Sequence, residues 1–179
     1  MATIQGVYVA LFGRPADPFG LEYWKGVTND GADLSLIGDL AQSQEYQDRF
    51  AGQSNAQVVN SIFQSLFNRS ADVAGLTYWV NGLQSGEFTI NDVAIRILDG
   101  AQGSDKTTVD LKVEAADLFT ASLDTAAEII AYDGNDAAAQ GRAFLAGVTT
   151  TLPTQAEVDA AIETIVTDGN NPIGDTFTL

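Results

Sequence analysis

Leu11-Phe12-Gly13-Arg14-Pro15-Ala16-Asp17-Pro18-Phe19-Gly20-Leu21-Glu22-Tyr23-Trp24 returns 55 positions further on as Leu66-Phe67-Asn68-Arg69-Ser70-Ala71-Asp72-Val73-Ala74-Gly75-Leu76-Thr77-Tyr78-Trp79, with nine of the fourteen residues identical. A repeat of this kind constrains the fold more than any other feature, because neither copy can bury its apolar face alone and the two must pack together. Upstream of each copy, Ile4, Val7, Tyr8, Leu11 and Phe12 answer Val59, Ile62, Phe63, Leu66 and Phe67. The i, i+3, i+4, i+7, i+8 spacing is that of one buried helical face. The chain therefore reads as all-α, a helical repeat bundle of about nine to eleven short helices.

Each repeated stretch carries its own turn chemistry. Gly13 suits a left-handed helix cap, and Asp17-Pro18 an N-cap followed by proline at the first helical position. Gly20 predicts close approach of a neighbouring backbone. Arg14 and Asp17, repeated as Arg69 and Asp72, stand three apart, where a guanidinium bonding a carboxylate or helix-end carbonyls makes a turn clamp; an anion or metal site is the alternative. Trp24 and Trp79 fall at helical spacing from Leu21 and Leu76 and read as core, with a sugar-stacking platform as the other use of such rings.

The repeat divides residues 1–104 into units 1–52 and 53–104. In the first, Asp33 or Ser35 opens a third helix carrying Leu36, Ile37, Leu40 and Ala41, and Ser43 to Phe50 continues it. The second runs through helices over 55–67 and 73–84 to a Thr89-capped helix with Val93, Ile97 and Leu98. Residues 105–168 lack the repeat signature but hold further helices expected to pack on it: one along Val109, Val113, Ala116, Leu118, Phe119 and Leu123, one over 125–132, one over 136–147, and one capped by Thr154. Residues 169–179 read as a linker leading to a strand, since Asp175-Thr176-Phe177-Thr178-Leu179 alternates polar and apolar. A β region is thus expected to begin at the C-terminal end, with the helical part forming the N-terminal portion of a longer protein.

Asp133-Gly134-Asn135-Asp136 packs three side-chain oxygens into four residues. Asp133, Asn135 and Asp136 are the candidate metal ligands, for calcium; the competing reading is a turn followed by an Asp-capped helix. Composition narrows the chemistry further. Without cysteine or histidine there are no disulfides, no thiolate or imidazole metal ligands and no imidazole general base. The 24 acidic residues against 8 basic ones, net −16, repel a phosphate backbone, and Lys25, Lys106 and Lys112 are scattered rather than gathered into a basic patch, so no nucleic-acid partner is expected. Every apolar run falls short of the roughly 18 residues of a membrane span, so no membrane insertion is expected. No phosphate loop, nucleophile elbow or metalloprotease motif is present, and although paired carboxylates remain open to a hydrolase, no spacing singles out a pair. The expectation is a protein that is not an enzyme.

The tandem Leu-Phe-x-Arg-x-Ala-Asp-x-x-Gly-Leu-x-Tyr-Trp units resemble the α-helical repeat domain of unknown function of secreted bacterial proteins, whose pattern is close to Leu-Gly-Arg-x-x-Asp-x-x-Gly-x-x-x-Trp. Leu36 to Phe50, with Ser43, Glu45 and Tyr46, is similar to that family's next segment, and Leu111 to Leu123 to the helix that often follows. The resemblance spans roughly residues 1–125. It departs in the second unit, where Asp99-Gly100-Ala101-Gln102 stands in place of the Ser-x-Glu-Tyr segment. Such regions commonly sit beside RTX-type calcium-binding β-rolls in proteins exported by type I secretion, and the N-terminal domain of RTX surface-layer proteins is similar in placement. The resemblance implies an extracellular location at the bacterial cell surface, anchoring by lipopolysaccharide O-antigen glycan, calcium nearby, and self-assembly through the rest of the protein. The alternative is a protein–protein adhesion or lattice-assembly module. A carboxylate hydrolase and a photosynthetic-antenna linker are the more distant readings, the latter opposed by the negative charge.

Overall fold

A computed structural model describes residues 1–169. The strand expected at 175–179 lies outside these residues. Within them the chain forms ten α-helices and one 3₁₀ segment, all connected by short turns: α1 (Ile4–Phe12), α2 (Pro18–Val27), the 3₁₀ segment Leu34–Gln42, α3 (Gln44–Phe50), α4 (Asn55–Phe67), α5 (Val73–Ser85), α6 (Ile90–Gly100), α7 (Gly103–Ser122), α8 (Ala126–Ala131), α9 (Gly134–Gly147) and α10 (Gln155–Gly169).

The two units are alike in local structure and unlike in burial. Thr3 and Ser54 cap α1 and α4, and both helices end on a left-handed residue, Gly13 at φ 69° and Asn68 at φ 55°. Asp17 and Asp72 then cap α2 and α5 by accepting from the Gly20 and Gly75 amides, each at 2.7 Å. Yet α4 buries one face, whereas all nine residues of α1 are buried. The expectation of a single buried face on α1 is corrected here. Gly6, Val9 and Ala10 on its other side are small or apolar, and α4, α6 and α7 all pack against this helix.

Full burial of α1 takes Gln5 with it, and its amide is satisfied within the core. Gln5 Nε2 donates to the Thr120 hydroxyl at 2.9 Å, and that hydroxyl donates to the Ala16 carbonyl at 2.8 Å. The arrangement ties α1, the first repeated turn and α7 together, as buried polar groups require.

Leu36, expected inward, is 52 % exposed. The segment winds as a 3₁₀ helix of about three residues per turn, so Leu34, Ile37 and Leu40 form the inner row and Leu36 turns outward. Tyr46 and Phe50 do pack together on the core, with ring centroids 4.8 Å apart. What approaches Gly20 is the Tyr8 hydroxyl and the Asp17 carboxylate rather than a backbone.

Helix α7 joins two cores. Its Val109, Ala115 and Ala116 belong to the large core of the repeats, and Phe119, with Leu123 just past the helix end, to a smaller one with Tyr132, Ala137, Val158, Ile162 and Ile165 from the last three helices. Residues 105–168 thus pack on the repeats chiefly through α7, a helix about 30 Å long, joined by Leu145 and Val148 from the end of α9.

Candidate functional site

The repeated arginines define the local architecture. Arg14 follows the cap of α1 and folds back over that helix's aromatic pair, 5.7 Å from the Tyr8 ring and 5.8 Å from Phe12; Arg69 does the same over Phe63 and Phe67 at 5.3 and 5.6 Å. Each also donates to a carbonyl of its own turn, Pro15 at 2.8 Å and Ser70 at 3.0 Å. The carboxylate partner, however, is not the neighbouring aspartate. Arg14 makes a bidentate pair with Glu45 at 2.7 and 2.6 Å, and Arg69 one with Asp105 at 2.9 and 2.5 Å. The direct Arg–Asp pairing expected within each turn is corrected accordingly: Asp17 and Asp72 are already oriented toward the helix N-termini they cap, so the guanidiniums reach to the first turn of α3 and of α7 instead.

This explains the departure of the second unit from the repeat pattern. The segment that would carry a second Glu45 is absent, and α7 begins in its place and supplies Asp105. The clamp is kept while its partner changes.

Only the first clamp is covered. Tyr132, at the end of α8, donates to the Pro15 carbonyl at 2.8 Å and lays its ring 5.4 Å from the Arg14 guanidinium, which thus has three aromatic rings around it. Gly141 on α9 makes this possible, since a Cβ there would stand 2.5 Å from the Tyr132 hydroxyl and 3.2 Å from Arg14 Cβ. Burial opposes the charge of Arg14, but the bond to Glu45, the charge of Glu45 and the interaction with Tyr132 together outweigh it and hold the guanidinium more firmly protonated than usual. Burial pushes the Tyr132 phenol up to about 12. The second clamp stays largely in water.

Above the first clamp lies a groove of about 680 Å³ between the start of α2, α3 and the α8–α9 turn. It gathers four of the residues singled out from the sequence, Arg14, Asp17, Asp133 and Asn135, with Asp48 and the exposed Phe19 and Ile130 on its walls. Arg69 and Asp72 lie outside it, on the second unit. Because Glu45 neutralises Arg14, the groove presents the carboxylates of Asp17, Asp48 and Asp133 and the amide of Asn135, which donates to Asp48 at 3.5 Å. It is an acceptor-rich cleft with two exposed apolar side chains.

The Asp133–Asp136 stretch is not a loop. Asp133 caps α9 by accepting from the Gly134 amide at 2.8 Å, so Asn135 and Asp136 sit in the first helical turn. Successive helical side chains diverge, and Asp136 consequently faces the neighbouring cleft with Gln140 and Asp168 rather than the groove. Among the described residues no three acidic side chains are grouped so as to hold a metal ion. The tryptophans behave as core residues, Trp24 fully and Trp79 partly; besides Phe19, the exposed aromatics are the neighbouring tyrosines, Tyr23 at 62 % and Tyr78 at 54 %, stacked edge-on against them. Asp105 and Tyr132 carry no motif in the sequence; Glu45 stands in the Ser-x-Glu-Tyr segment, but nothing in that segment marks it as the partner of Arg14.

Fold and site together describe a repeat module that is all-helical among the described residues, with a shallow, acidic groove. Residues 37–102 match a family described as "Domain of unknown function (DUF4214)". The match runs from the first unit's 3₁₀ segment to the cap of α7 and includes Arg69 but not its partner Asp105; it is narrower than the resemblance drawn over 1–125. No curated protein and no solved structure matches the chain. Among the described residues no helix is long and apolar enough to cross a membrane.

Proposed function

We propose that the chain is a non-enzymatic anchoring module that binds cell-surface glycan through the groove above Arg14, holding a secreted bacterial protein of the surface-layer or RTX kind to the outer membrane by lipopolysaccharide O-antigen. One observation carries the reading: the exposed Phe19 lines the groove with the acceptors Asp48, Asp133 and Asn135, and the likewise exposed Tyr23 follows one helical turn further along α2. A sugar ring offers both an apolar face to stack and hydroxyls to donate, and this groove offers the complement of each. Its acidic rim favours a neutral polysaccharide, or an anionic one bridged by calcium, over a bare anion. The extracellular location and type I export follow from the same resemblance to secreted repeat proteins.

Co-sedimentation of the chain with lipopolysaccharide-bearing and lipopolysaccharide-stripped cells, with calcium and with chelator, tests it. Binding only to the former, lost in a Phe19→Ala/Tyr23→Ala variant that keeps its helicity, is the expected result. Equal binding to both cell types sinks the reading, and chelator sensitivity separates a calcium bridge from direct contact.

A second reading, a protein–protein assembly module, is favoured by the recurrence of exposed apolar side chains at the corresponding place in the second unit, Val73 and Tyr78 on α5. Self-association that rises with protein concentration and falls in Val73→Ser/Tyr78→Ser would support it.

A further inference from the structure

Three of the chain's eight cationic side chains converge on one cleft that has no carboxylate in its lining. In a molecule of net charge −16, in which carboxylates outnumber cations threefold, such a concentration of unpaired positive charge needs a physical account. Arg49 enters from α3, Lys112 from α7 and Arg142 from α9, around a cavity of about 230 Å³ beside Ser65 and Asn68 at the end of α4. None of the three is in an ion pair among the described residues.

Part of this charge has a structural use. Lys112 is 1 % exposed and donates to the Ser65 carbonyl at 2.5 Å and to Asn68 Oδ1 at 2.7 Å, satisfying a carbonyl that the end of α4 leaves free. That accounts for one amine and leaves the guanidiniums. Arg49 spends one nitrogen on the Ser65 hydroxyl at 3.0 Å, while its Nη1 is fully buried with no hydrogen-bond partner. Arg142 makes no side-chain hydrogen bond among the described residues. The carboxylate whose charge acts on both is Glu45, already bound bidentately by Arg14. Burial first, and then Arg142, draws the Arg49 guanidinium down to about 10.

A buried donor without an acceptor, held beside two further cations, is costly unless an acceptor is supplied from outside. The acceptor that suits several convergent N–H donors and multiple positive charges is a tetrahedral oxyanion, which guanidiniums bind in a fork. We propose that Arg49, Arg142 and Lys112 form a receptor for one phosphate-type oxyanion, with the two arginines as direct ligands and Lys112 as a fixed positive charge behind them. The receptor does not rest on the glycan groove, which lies on other residues around Arg14. The oxyanion comes either free from solution or as a phosphoryl substituent on a larger molecule such as a surface polysaccharide.

Calorimetric titration of the chain with inorganic phosphate at low ionic strength, against chloride as the control anion, tests the proposal. The wild type is expected to give a saturable isotherm that chloride does not reproduce, and Arg142→Gln to weaken it by roughly tenfold or more, the loss of one charge-assisted contact. Arg142→Glu is expected to abolish it. Because the receptor holds like charges together, Arg142→Gln should keep or raise the urea midpoint while binding falls, an outcome a purely structural arginine would not produce. A parallel titration with a hexose phosphate and the uncharged hexose distinguishes the sources: tighter binding of the phosphosugar than of phosphate identifies a substituted polymer, and equal or weaker binding the free ion. A wild-type isotherm no different from that of chloride, or one unchanged by both Arg142 variants, overturns the proposal.

Discussion

Glu45→Gln and Asp105→Asn remove the carboxylate from the same clamp in two surroundings within one molecule. In the first, the side chains of Arg14 and Glu45 are 11 % and 23 % exposed; in the second, Arg69 and Asp105 are 44 % and 22 % exposed. Breaking a buried pair by removing one partner is destabilising by about 3–5 kcal/mol, because the remaining charge is stranded. Water still reaches Glu45, so the lower end applies, and Glu45→Gln is expected to destabilise by about 3 kcal/mol. The half-exposed guanidinium of Arg69 can rehydrate, and Asp105→Asn should cost only about 0.2–1 kcal/mol. Both carboxylates lie in the first turn of a helix, so loss of the favourable interaction with the helix dipole is common to the two variants and largely cancels in their difference. Urea unfolding followed by far-ultraviolet circular dichroism reads the effect. With a slope of about 1–3 kcal/mol per molar, the midpoint should drop by about 1 M or more for Glu45→Gln and by well under that for Asp105→Asn. An apolar replacement of the whole pair, Arg14→Met with Glu45→Leu, should recover most of the loss, since the stranded charge is gone. Equal shifts for the two single variants, or a loss below about 1 kcal/mol for Glu45→Gln, would refute the claim that burial under Tyr132 distinguishes the clamps.

Other consequences are open to the same kind of check. Thr120→Val leaves the Gln5 amide and the Ala16 carbonyl without their shared hydroxyl partner; a loss of about 1–3 kcal/mol in urea unfolding is expected, and no loss would show that the network is dispensable. Gly82→Ala places a methyl group inside the Phe88 ring's space, and destabilisation of about 1–3 kcal/mol should follow, whereas the same change at the open Gly26 should stay within about 1 kcal/mol, the ordinary preference of helices for alanine over glycine. The Asp92 carboxyl is held below its usual range by bonds from the Thr89 hydroxyl and amide. A depressed folded-state pKa contributes stability that is complete above the unfolded pKa near 4 and disappears as pH falls through the folded value. Thr89→Val should therefore raise the Asp92 pKa in an NMR titration and reduce the acid-range loss of stability; an unchanged titration would show that the hydroxyl contributes nothing.

The elements were legible in the sequence because their signals are local. Period-3.6 apolar spacing, aspartate before proline, a capping threonine before an apolar stripe and glycine at a helix end act within a few residues, and α1, α2, α4, α5 and the capped α6 and α10 follow from them. The 3₁₀ winding of Leu34–Gln42 was not legible, since Leu36, Ile37 and Leu40 satisfy an α-helical stripe equally well. Nor was the start of α9 at Gly134, because a Gly-Asn-Asp run serves a turn and a first helical turn alike.

By itself, then, the sequence determined that two copies of one helical unit would stack, where each turn would be capped, and which chemistries a chain without cysteine or histidine must do without. It also placed an arginine after each aromatic pair. Only the tertiary structure decided whom those arginines would meet, since Glu45 and Asp105 stand 31 and 36 residues away with nothing in their local surroundings to announce them. The same holds for the burial of all of α1, which depends on three other helices, and for the meeting of Arg49, Lys112 and Arg142, which look scattered along the chain. A cap is set by bonds within one turn, whereas a long-range ion pair or a cluster of cations exists only once the packing of apolar faces elsewhere has brought their backbones together.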